Sequence, residues 1–439
     1  MRRQIAACAI VLGIILACTA SWPGSVVPSW PAGLSFWTAA LLLSPDIARR
    51  NLKLSLCLAG LGLLGIVWGI AKGQSATLGL FFSANASLVA MVTSVSFLAL
   101  LAASAKGTET ATSDNASASR TGTSIFSTLL GVHLFGSVIN MSAAFMFGDR
   151  MAQGGKLSLG QSLILSRAST LGAFWSPFYA AMAVGLSVAP EANVFRLMLL
   201  GFPVALIGLL LSYWQLKRSA ESLHASGVPV SFQALAVPFL MASLVLGIHA
   251  LDGSIPILTL VTLLAPSLAI IIATLRRGVV FAKEKTAAHI QQRLPSMGNE
   301  VLLFLSAGLL TQGGKSLIAS LGGWQLFPAF ETPQAILMFV ATVLLSLLGF
   351  HPIIGISLFS AVLGGTGSEP SLLAMVSICA WGVGTAVGPL SGINLALFGR
   401  YGADTYAISR HTLGYAAVMC IVVAMALWLM MSLGLGGKG

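Results

Sequence analysis

Charged side chains are scarce in this chain of 439 residues. They make up 8% of it and apolar residues 56%, whereas about 25% of a typical soluble domain is charged. Water is therefore excluded as the solvent for most of the surface. Apolar stretches of roughly the 20 residues that cross a bilayer recur along the chain, and we predict an all-α polytopic membrane protein with about 11 to 13 hydrophobic elements. The stretches include 4–20, 53–71, 195–215, 255–275, 298–322 and 409–434.

Motifs for catalysis, nucleotide binding and metal binding are missing from the sequence. There is no GxxxxGKS or GxxxxGKT pattern for ATP, no HExxH, no GxSxG and no aspartate pair in an apolar stretch. The cysteines fall inside apolar runs, without CxxC or Cys/His spacing. We therefore expect neither an enzyme nor a bound cofactor or metal. The cysteines are Cys8, Cys18, Cys57, Cys379 and Cys420.

Acidic side chains are few, and none lies in the middle of a predicted span. Asp149, Glu300 and Glu369 flank candidate membrane elements, and Asp252 lies in a short turn. A cation antiporter or proton pump usually keeps a carboxylate within the membrane. The sequence thus argues against a cation as substrate, and leaves open sodium held by backbone carbonyls.

Basic side chains give the chain a net charge of +11. They lie in short loops, as the positive-inside rule predicts, so we expect no nucleic acid partner, a cytoplasmic N-terminus and a place in the bacterial inner (plasma) membrane. Residues 1–20 also fit a secretory signal. A second apolar stretch at 28–44, followed by the basic loop at 49–53, favours an uncleaved helical hairpin.

Two blocks of the chain resemble each other. The stretch from Gly131 to Ala143 starts Gly-Val-His and ends Ser-Ala, and the stretch from Gly349 to Ala361, 218 residues later, starts Gly-Phe-His and ends Ser-Ala. We predict an internal duplication with intervening segments. The predicted parts are N-terminal scaffold helices at 1–103, a polar linker at 104–124, repeat 1 at 125–215, connecting helices and a basic loop at 216–297, repeat 2 at 298–402, and a C-terminal helix at 403–439.

Each block continues into an apolar segment interrupted by Gly and Pro, at 170–177 and at 382–389, and the two interruptions align at an offset of 212 residues. The Gly- and Pro-rich stretch 384–394 is predicted to be unwound. An unwound stretch survives in hydrocarbon only where protein or a water-filled cavity satisfies its backbone. The half-helix that follows presents free N–H groups to an anion. Alternatively, Ser and Thr bond back to their own helix and Gly and Pro only kink it for packing. The predicted substrate-binding residues are Thr170, Gly172, Ser176, Pro177, Gly384, Thr385, Gly388, Pro389, Ser391, Gly392 and Asn394.

His133 and His351 occupy corresponding places in the two blocks, and histidine changes charge near physiological pH. They are candidate proton-coupling residues, or else neutral histidines bonded to a neighbouring carbonyl. Arg167 and Lys315 interrupt apolar segments; they are expected either to meet an anion or to snorkel toward an interface.

The second block, ending in PLSGINLALFGRYG, resembles the second repeat of the ion transporter superfamily, which includes divalent anion:sodium symporters, citrate carriers and the membrane subunits of arsenite pumps. Pro389, Gly392, Asn394 and Gly402 stand where those families have their proline, asparagine and glycine positions. The resemblance implies two inverted repeats, re-entrant hairpins, discontinuous helices that meet near the midplane, and a homodimer. Asn140 and Ser357 would be the hairpin residues.

These observations predict a secondary active transporter of a small anion, either an organic acid or an oxyanion. It would work by alternating access, driven by a proton or sodium gradient and without a cofactor. Its partners would be the anionic solute, the lipid bilayer and a second copy of the chain. The alternatives are a membrane-embedded enzyme acting on a lipid-linked substrate, and a channel or assembly factor.

Overall fold

A computed structural model of the chain describes residues 1–75, 78–101, 121–152, 154–218, 236–322, 324, 326–363 and 369–437. Within these ranges the regular elements are helices; eight are long and apolar enough to cross a membrane, and four shorter apolar helices accompany them. The prediction of an all-α polytopic membrane protein is confirmed. Most of the predicted linker lies outside the described residues.

The helices of six or more residues are numbered in chain order. They are α1 (Arg2–Ala20), α2 (Trp30–Leu43), α3 (Arg49–Ala71), α4 (Leu78–Ser83), α5 (Ala86–Val95), α6 (Thr121–Ile139), α7 (Met141–Met151), α8 (Leu159–Thr170), α9 (Ala180–Val188), α10 (Val194–Arg218), α11 (Ala236–Leu251), α12 (Ile257–Arg277), α13 (Val279–Ala288), α14 (Gly298–Ser320), α15 (Thr332–Leu347), α16 (Pro352–Leu363), α17 (Pro370–Val387), α18 (Gly392–Tyr401) and α19 (Thr405–Ser432).

The chain divides into two compact units, each assembled from separate segments. The first unit contains residues 1–107, 241–329 and 357–367, and the second contains 108–240, 330–356 and 368–439. The division falls inside α11 and inside α16, so each unit combines segments that are distant in the chain.

Glycines bring helices of the first unit into close contact. A Cβ on Gly62 of α3 would lie 2.4 Å from the Leu309 carbonyl oxygen of α14, and a Cβ on Gly65 would lie 2.4 Å from that of Gly313. Small residues allow such backbone approach between membrane helices. At one end of the same unit, Arg2 and Arg3 of α1 pair with Asp46 at 2.7 and 2.9 Å.

The second unit is built around α17. Every residue from Ser371 to Val387 is buried, and α9, α15 and α19 pack against this helix. A helix that is apolar on all sides belongs in the interior. The same unit contains both of the predicted helix interruptions.

Candidate functional site

The first interruption separates α8 from α9. After Thr170 the backbone tightens into a 3₁₀ turn over Leu171–Phe174, and regular helix resumes at Ala180. Pro177 has no N–H to donate to a helical ladder. The Ser176 hydroxyl makes two hydrogen bonds that stabilise this stretch. It donates to the Ser137 carbonyl of α6 and accepts from the Phe178 N–H at 3.2 Å.

Gly172 lets α6 approach the first interruption. A Cβ on Gly172 would lie 3.1 Å from the Cα of Ser137. Gly172 therefore allows close packing against α6. Packing was one of the two roles considered for this glycine, the other being a place in the substrate site.

A third interruption, at Asn140, lies beside the first. Asn140 separates α6 from α7 with a φ of 50°, a conformation that Asn tolerates better than most residues. Its side-chain amide donates to the Phe178 carbonyl at 3.0 Å. The start of α7 is thereby fixed next to the segment that leads into α9.

The second interruption separates α17 from α18 and is shorter than predicted. Gly384 and Thr385 are helical, and the Gly388 N–H still donates to the Gly384 carbonyl at 2.8 Å. The helix stops where Pro389 brings no N–H, and Ser391 caps the new helix by accepting from the Asn394 N–H at 3.5 Å. The prediction of unwinding from residue 384 onward is therefore wrong.

Packing explains the two glycines before this interruption. A Cβ on Gly384 would lie 2.6 Å from the Ser346 hydroxyl of α15, and a Cβ on Gly388 would lie 3.1 Å from the Ser346 carbonyl oxygen. The physical reason for the wrong prediction is that glycine is needed here for close approach of α15, not for unwound angles.

The two interruptions correspond in detail. Pro177 and Pro389 each lie three residues before the start of the next helix, at Ala180 and Gly392, and these starts are 212 residues apart. The earlier blocks do not correspond in this way. His133 lies within α6, whereas His351 lies in the turn before α16, so the offset of 218 residues pairs positions of different local structure.

Asn394 joins the second interruption to the first broken helix. Its side-chain oxygen accepts from the Ser166 hydroxyl of α8 at 2.7 Å, and its amide nitrogen donates to the Gly388 carbonyl at 2.9 Å. Ser166 and Asn394 are both fully buried. The sequence analysis did not single out Ser166, since a lone serine in an apolar helix usually bonds to its own backbone.

Three helix N-termini come together around these contacts. Gly392, the first residue of α18, is exposed, and a Cβ there would meet the Met141 side chain at the start of α7 at 3.9 Å. The amide of Asn140 links the start of α7 to the approach to α9. The first N–H groups of a helix lack intrahelical acceptors. The start of α7 therefore contacts both the start of α18 and the segment that leads into α9.

The hydroxyls of the two candidate threonines differ. Thr170 donates to the Arg167 carbonyl of its own helix at 2.9 Å. Thr385 is 5% exposed, and its hydroxyl has no hydrogen-bond partner among the described residues. The Thr170 hydroxyl is thus bonded within its own helix, whereas the Thr385 hydroxyl is not bonded among the described residues.

Each candidate histidine contacts a tryptophan of a broken helix. His133 Nε2 accepts from the Trp175 indole at 3.3 Å. His351 accepts from the Ile353 N–H at 3.3 Å and lies edge-on to Trp381, with 4.8 Å between ring centroids. These contacts orient both rings within the second unit.

Ser357 and Arg167 make contacts of their own. Ser357 belongs to the first unit, where its carbonyl accepts from the Thr311 hydroxyl at 3.5 Å. Arg167 is buried in α8 and donates to the Gln215 side chain at 3.1 Å and the His411 carbonyl at 2.7 Å. It also lies 5.0 Å from the Tyr415 ring. This set of contacts favours a structural role for Arg167.

The far ends of α7 and α18 are joined by an ion pair. Arg400 donates to both carboxylate oxygens of Asp149, at 3.0 and 2.7 Å, and the Tyr401 hydroxyl donates to Asp149 at 2.8 Å. A bidentate pair fixes orientation better than a single contact. The two helices are thus held at both ends, with their N-termini together.

Comparisons with known proteins give structural neighbours only. No family model matches the chain, and no curated protein matches it. The crystal structure of the YdaH transporter of Alcanivorax borkumensis is similar with 15% identity and a TM-score of 0.47, covering 87% of this chain and 98% of that one. MtrF of Neisseria gonorrhoeae, described as illuminating a class of antimetabolite efflux pumps, is similar with 15% identity and a TM-score of 0.33, covering 97% of this chain and 94% of that one. Both TM-scores lie below 0.5, so the function is argued from the chain itself.

Proposed function

We propose that the chain is a secondary active transporter of a small anion, an organic acid or an oxyanion, and not an enzyme. The observation that supports this proposal is the meeting of three helix N-termini, from α7, α9 and α18, beside two helix interruptions in the second unit. A solute bound there would accept hydrogen bonds from the first N–H groups of these helices, which have no acceptor within their own helix.

The sign of the solute charge follows from the backbone. Each helix N-terminus carries the positive end of its macrodipole, equivalent to about half an elementary charge. The acid on α7, Asp149, lies eight residues from the start of that helix, roughly 12 Å along its axis, and is paired with Arg400. An anion is therefore favoured over a cation at the meeting point.

Discontinuous helices also suit alternating access, because half-helices can rearrange around a fixed solute. The matched positions of Pro177 and Pro389 support an internal duplication. We further propose inverted repeats, membership of the ion transporter superfamily, a homodimer and a place in the bacterial inner membrane. The coupling ion would be a proton or sodium, with His133 and His351 as the proton-coupling candidates.

The test is solute flux into proteoliposomes. Carboxylates, sulfonates and oxyanions are supplied one at a time, with proton and sodium gradients imposed separately. We expect at least one anion to move only under a gradient, and no organic cation to do so. Absence of gradient-dependent flux for every solute in the panel contradicts the proposal.

A matched pair of variants locates the site. Gly392→Val places a side chain over the meeting point, whereas Gly399→Val adds the same side chain to the same helix where nothing lies within 4 Å. We expect Gly392→Val to lose flux and Gly399→Val to keep it, at equal expression. Equal flux from the two variants would remove the site from the second interruption.

A further inference from the structure

The corner between α12 and α13 is an exposed apolar surface edged by bases. Gly278 has a φ of 88° and turns the chain between the two helices. Leu275 is 80% exposed, Val279 68% and Val280 72%. For aliphatic side chains exposed to this degree next to a membrane helix, the acyl region of a bilayer is a more favourable environment than water.

Four exposed bases belong to the same two helices: Arg276, Arg277, Lys283 and Lys285. The Phe281 ring lies between two of them, with the Arg277 guanidinium 5.3 Å and the Lys285 ammonium 5.6 Å from its centroid. Contacts of this kind orient a cation without neutralising it. In the sequence from 276 to 293 the one acid is Glu284, against five bases.

We propose that this corner binds the headgroup of an anionic phospholipid of the surrounding leaflet. The headgroup phosphate would lie against Arg277, Lys283 and Lys285, and an acyl chain would follow α12 over Leu275 and Ile271, which is 52% exposed. Basic clusters next to a membrane helix attract anionic lipids by about 1 kcal/mol per base. The adjoining apolar surface selects a lipid rather than a free anion, because a soluble phosphate gains nothing from it.

The positive-inside rule alone does not account for the arrangement. That rule concerns only the number of bases in a loop. It does not predict that two bases contact the Phe281 ring, or that exposed valines lie next to them in the sequence. The site lies wholly within the first unit and does not depend on the proposed anion transport by the second.

The experiment measures phosphatidylglycerol and phosphatidylcholine binding to the full-length protein in neutral detergent, by native mass spectrometry. We expect phosphatidylglycerol to bind the parent more tightly than phosphatidylcholine. Replacing two bases, in Lys283→Gln/Lys285→Gln, should weaken the tightest phosphatidylglycerol site about tenfold or more. The control is Lys217→Gln/Arg218→Gln, which removes an exposed basic pair that also lies over aromatic rings, at the end of α10.

Three outcomes would overturn the proposal. The first is unchanged phosphatidylglycerol affinity in Lys283→Gln/Lys285→Gln. The second is an equal loss in the control variant, which would indicate general charge attraction. The third is competition by glycerol 3-phosphate at the same concentration as the lipid, which would indicate a site for a free anion. Solute flux is not part of the readout, so failure here leaves the transporter proposal standing.

Discussion

At the scale of single residues, polar side chains connect the two interruptions to neighbouring helices. The Asn394 amide is engaged by Ser166 of α8 and by the Gly388 carbonyl. The Ser176 hydroxyl donates to the Ser137 carbonyl of α6 and accepts from the Phe178 N–H. These partners include residues that lie far apart in the chain.

The Thr385 hydroxyl has no hydrogen-bond partner among the described residues. Thr385→Val removes that hydroxyl while keeping the shape of the side chain, and we expect a roughly three- to tenfold loss of apparent affinity for the transported anion. Thr342→Val is the matched control, since Thr342 is a buried threonine of α15 that also lacks a hydroxyl partner among the described residues. Concentration dependence of flux measures both. Equal affinity in the two variants would argue against contact between Thr385 and the solute.

His289, between α13 and α14, should make the stability of the first unit depend on pH. Burial, with a smaller contribution from Arg293, lowers its pKa to about 4, and Ser96 and Phe97 contact its ring. The unfolded chain binds a proton at about pH 6.5, so this stability is present above that pH and is lost as the pH falls toward 4.

The effect amounts to roughly 3 kcal/mol. His289→Gln, which cannot titrate, should show a flatter unfolding midpoint between pH 7 and pH 4.5 than the parent. The measurement is thermal unfolding in detergent across that range. Parallel profiles for the two proteins would contradict the role of His289.

At the scale of helices, prediction succeeded where a local rule decides. Proline stops α17 and precedes α9, and both positions were read from the sequence. The break at Asn140 was expected only as a hairpin position implied by the family resemblance, because its conformation is stabilised by a contact with Phe178, 38 residues away. Gly384 was assigned to an unwound stretch because a single sequence does not distinguish a glycine that allows close helix packing from one that allows an unwound backbone.

The bond between Ser166 and Asn394 should couple the two broken helices. Each single replacement by alanine leaves a buried polar group without its partner and should cost about 1–3 kcal/mol of unfolding free energy. The double replacement should cost less than the sum, by about 1 kcal/mol. Ser377→Ala removes a hydroxyl that bonds within α17 and should be additive with Asn394→Ala. Additivity in both pairs would show that the helices are not coupled here.

The two glycines Gly62 and Gly60 of α3 should differ in how their replacement by alanine changes the free energy of unfolding. Gly62→Ala puts a Cβ 2.4 Å from the Leu309 carbonyl oxygen, whereas Gly60 has nothing within 4 Å. We expect Gly62→Ala to lower the free energy of unfolding by about 1–3 kcal/mol. Gly60→Ala should be neutral or stabilising, because alanine favours helix. Unfolding in mixed micelles checks the pair, and a stable Gly62→Ala would mean that the helices are further apart.

At the scale of the whole molecule, hydrophobicity was enough for the fold class, since the tendency to cross a bilayer adds up residue by residue. The division into two units was not predictable. Residues 357–367 belong to the first unit although their neighbours on both sides belong to the second. Tertiary packing decides this, as at Gly314, where a Cβ would lie 2.4 Å from the Cβ of Ala361.

Orientation in the membrane follows from the two ends of α12. Ser254 precedes this 21-residue helix and Lys283 follows it, so cysteines placed at the two sites should face opposite sides. We expect Lys283→Cys to react with a membrane-impermeant maleimide in inside-out vesicles and Ser254→Cys in intact cells, since the basic end faces the cytoplasm. The parent chain, with its own five cysteines, sets the background. The reverse pattern would invert the predicted orientation.

The enclosure of α17 has a consequence for biosynthesis. A helix surrounded by protein from Ser371 to Val387 can reach its final place only in company with its neighbours, and one of them, α19, is made after it. The centre of the second unit therefore stays incomplete until α19 has been translated. Until then, the surfaces of α8, α9 and α15 that pack inside the unit would stay exposed in the membrane. A chain truncated before α19 should therefore be recognised by quality-control proteases.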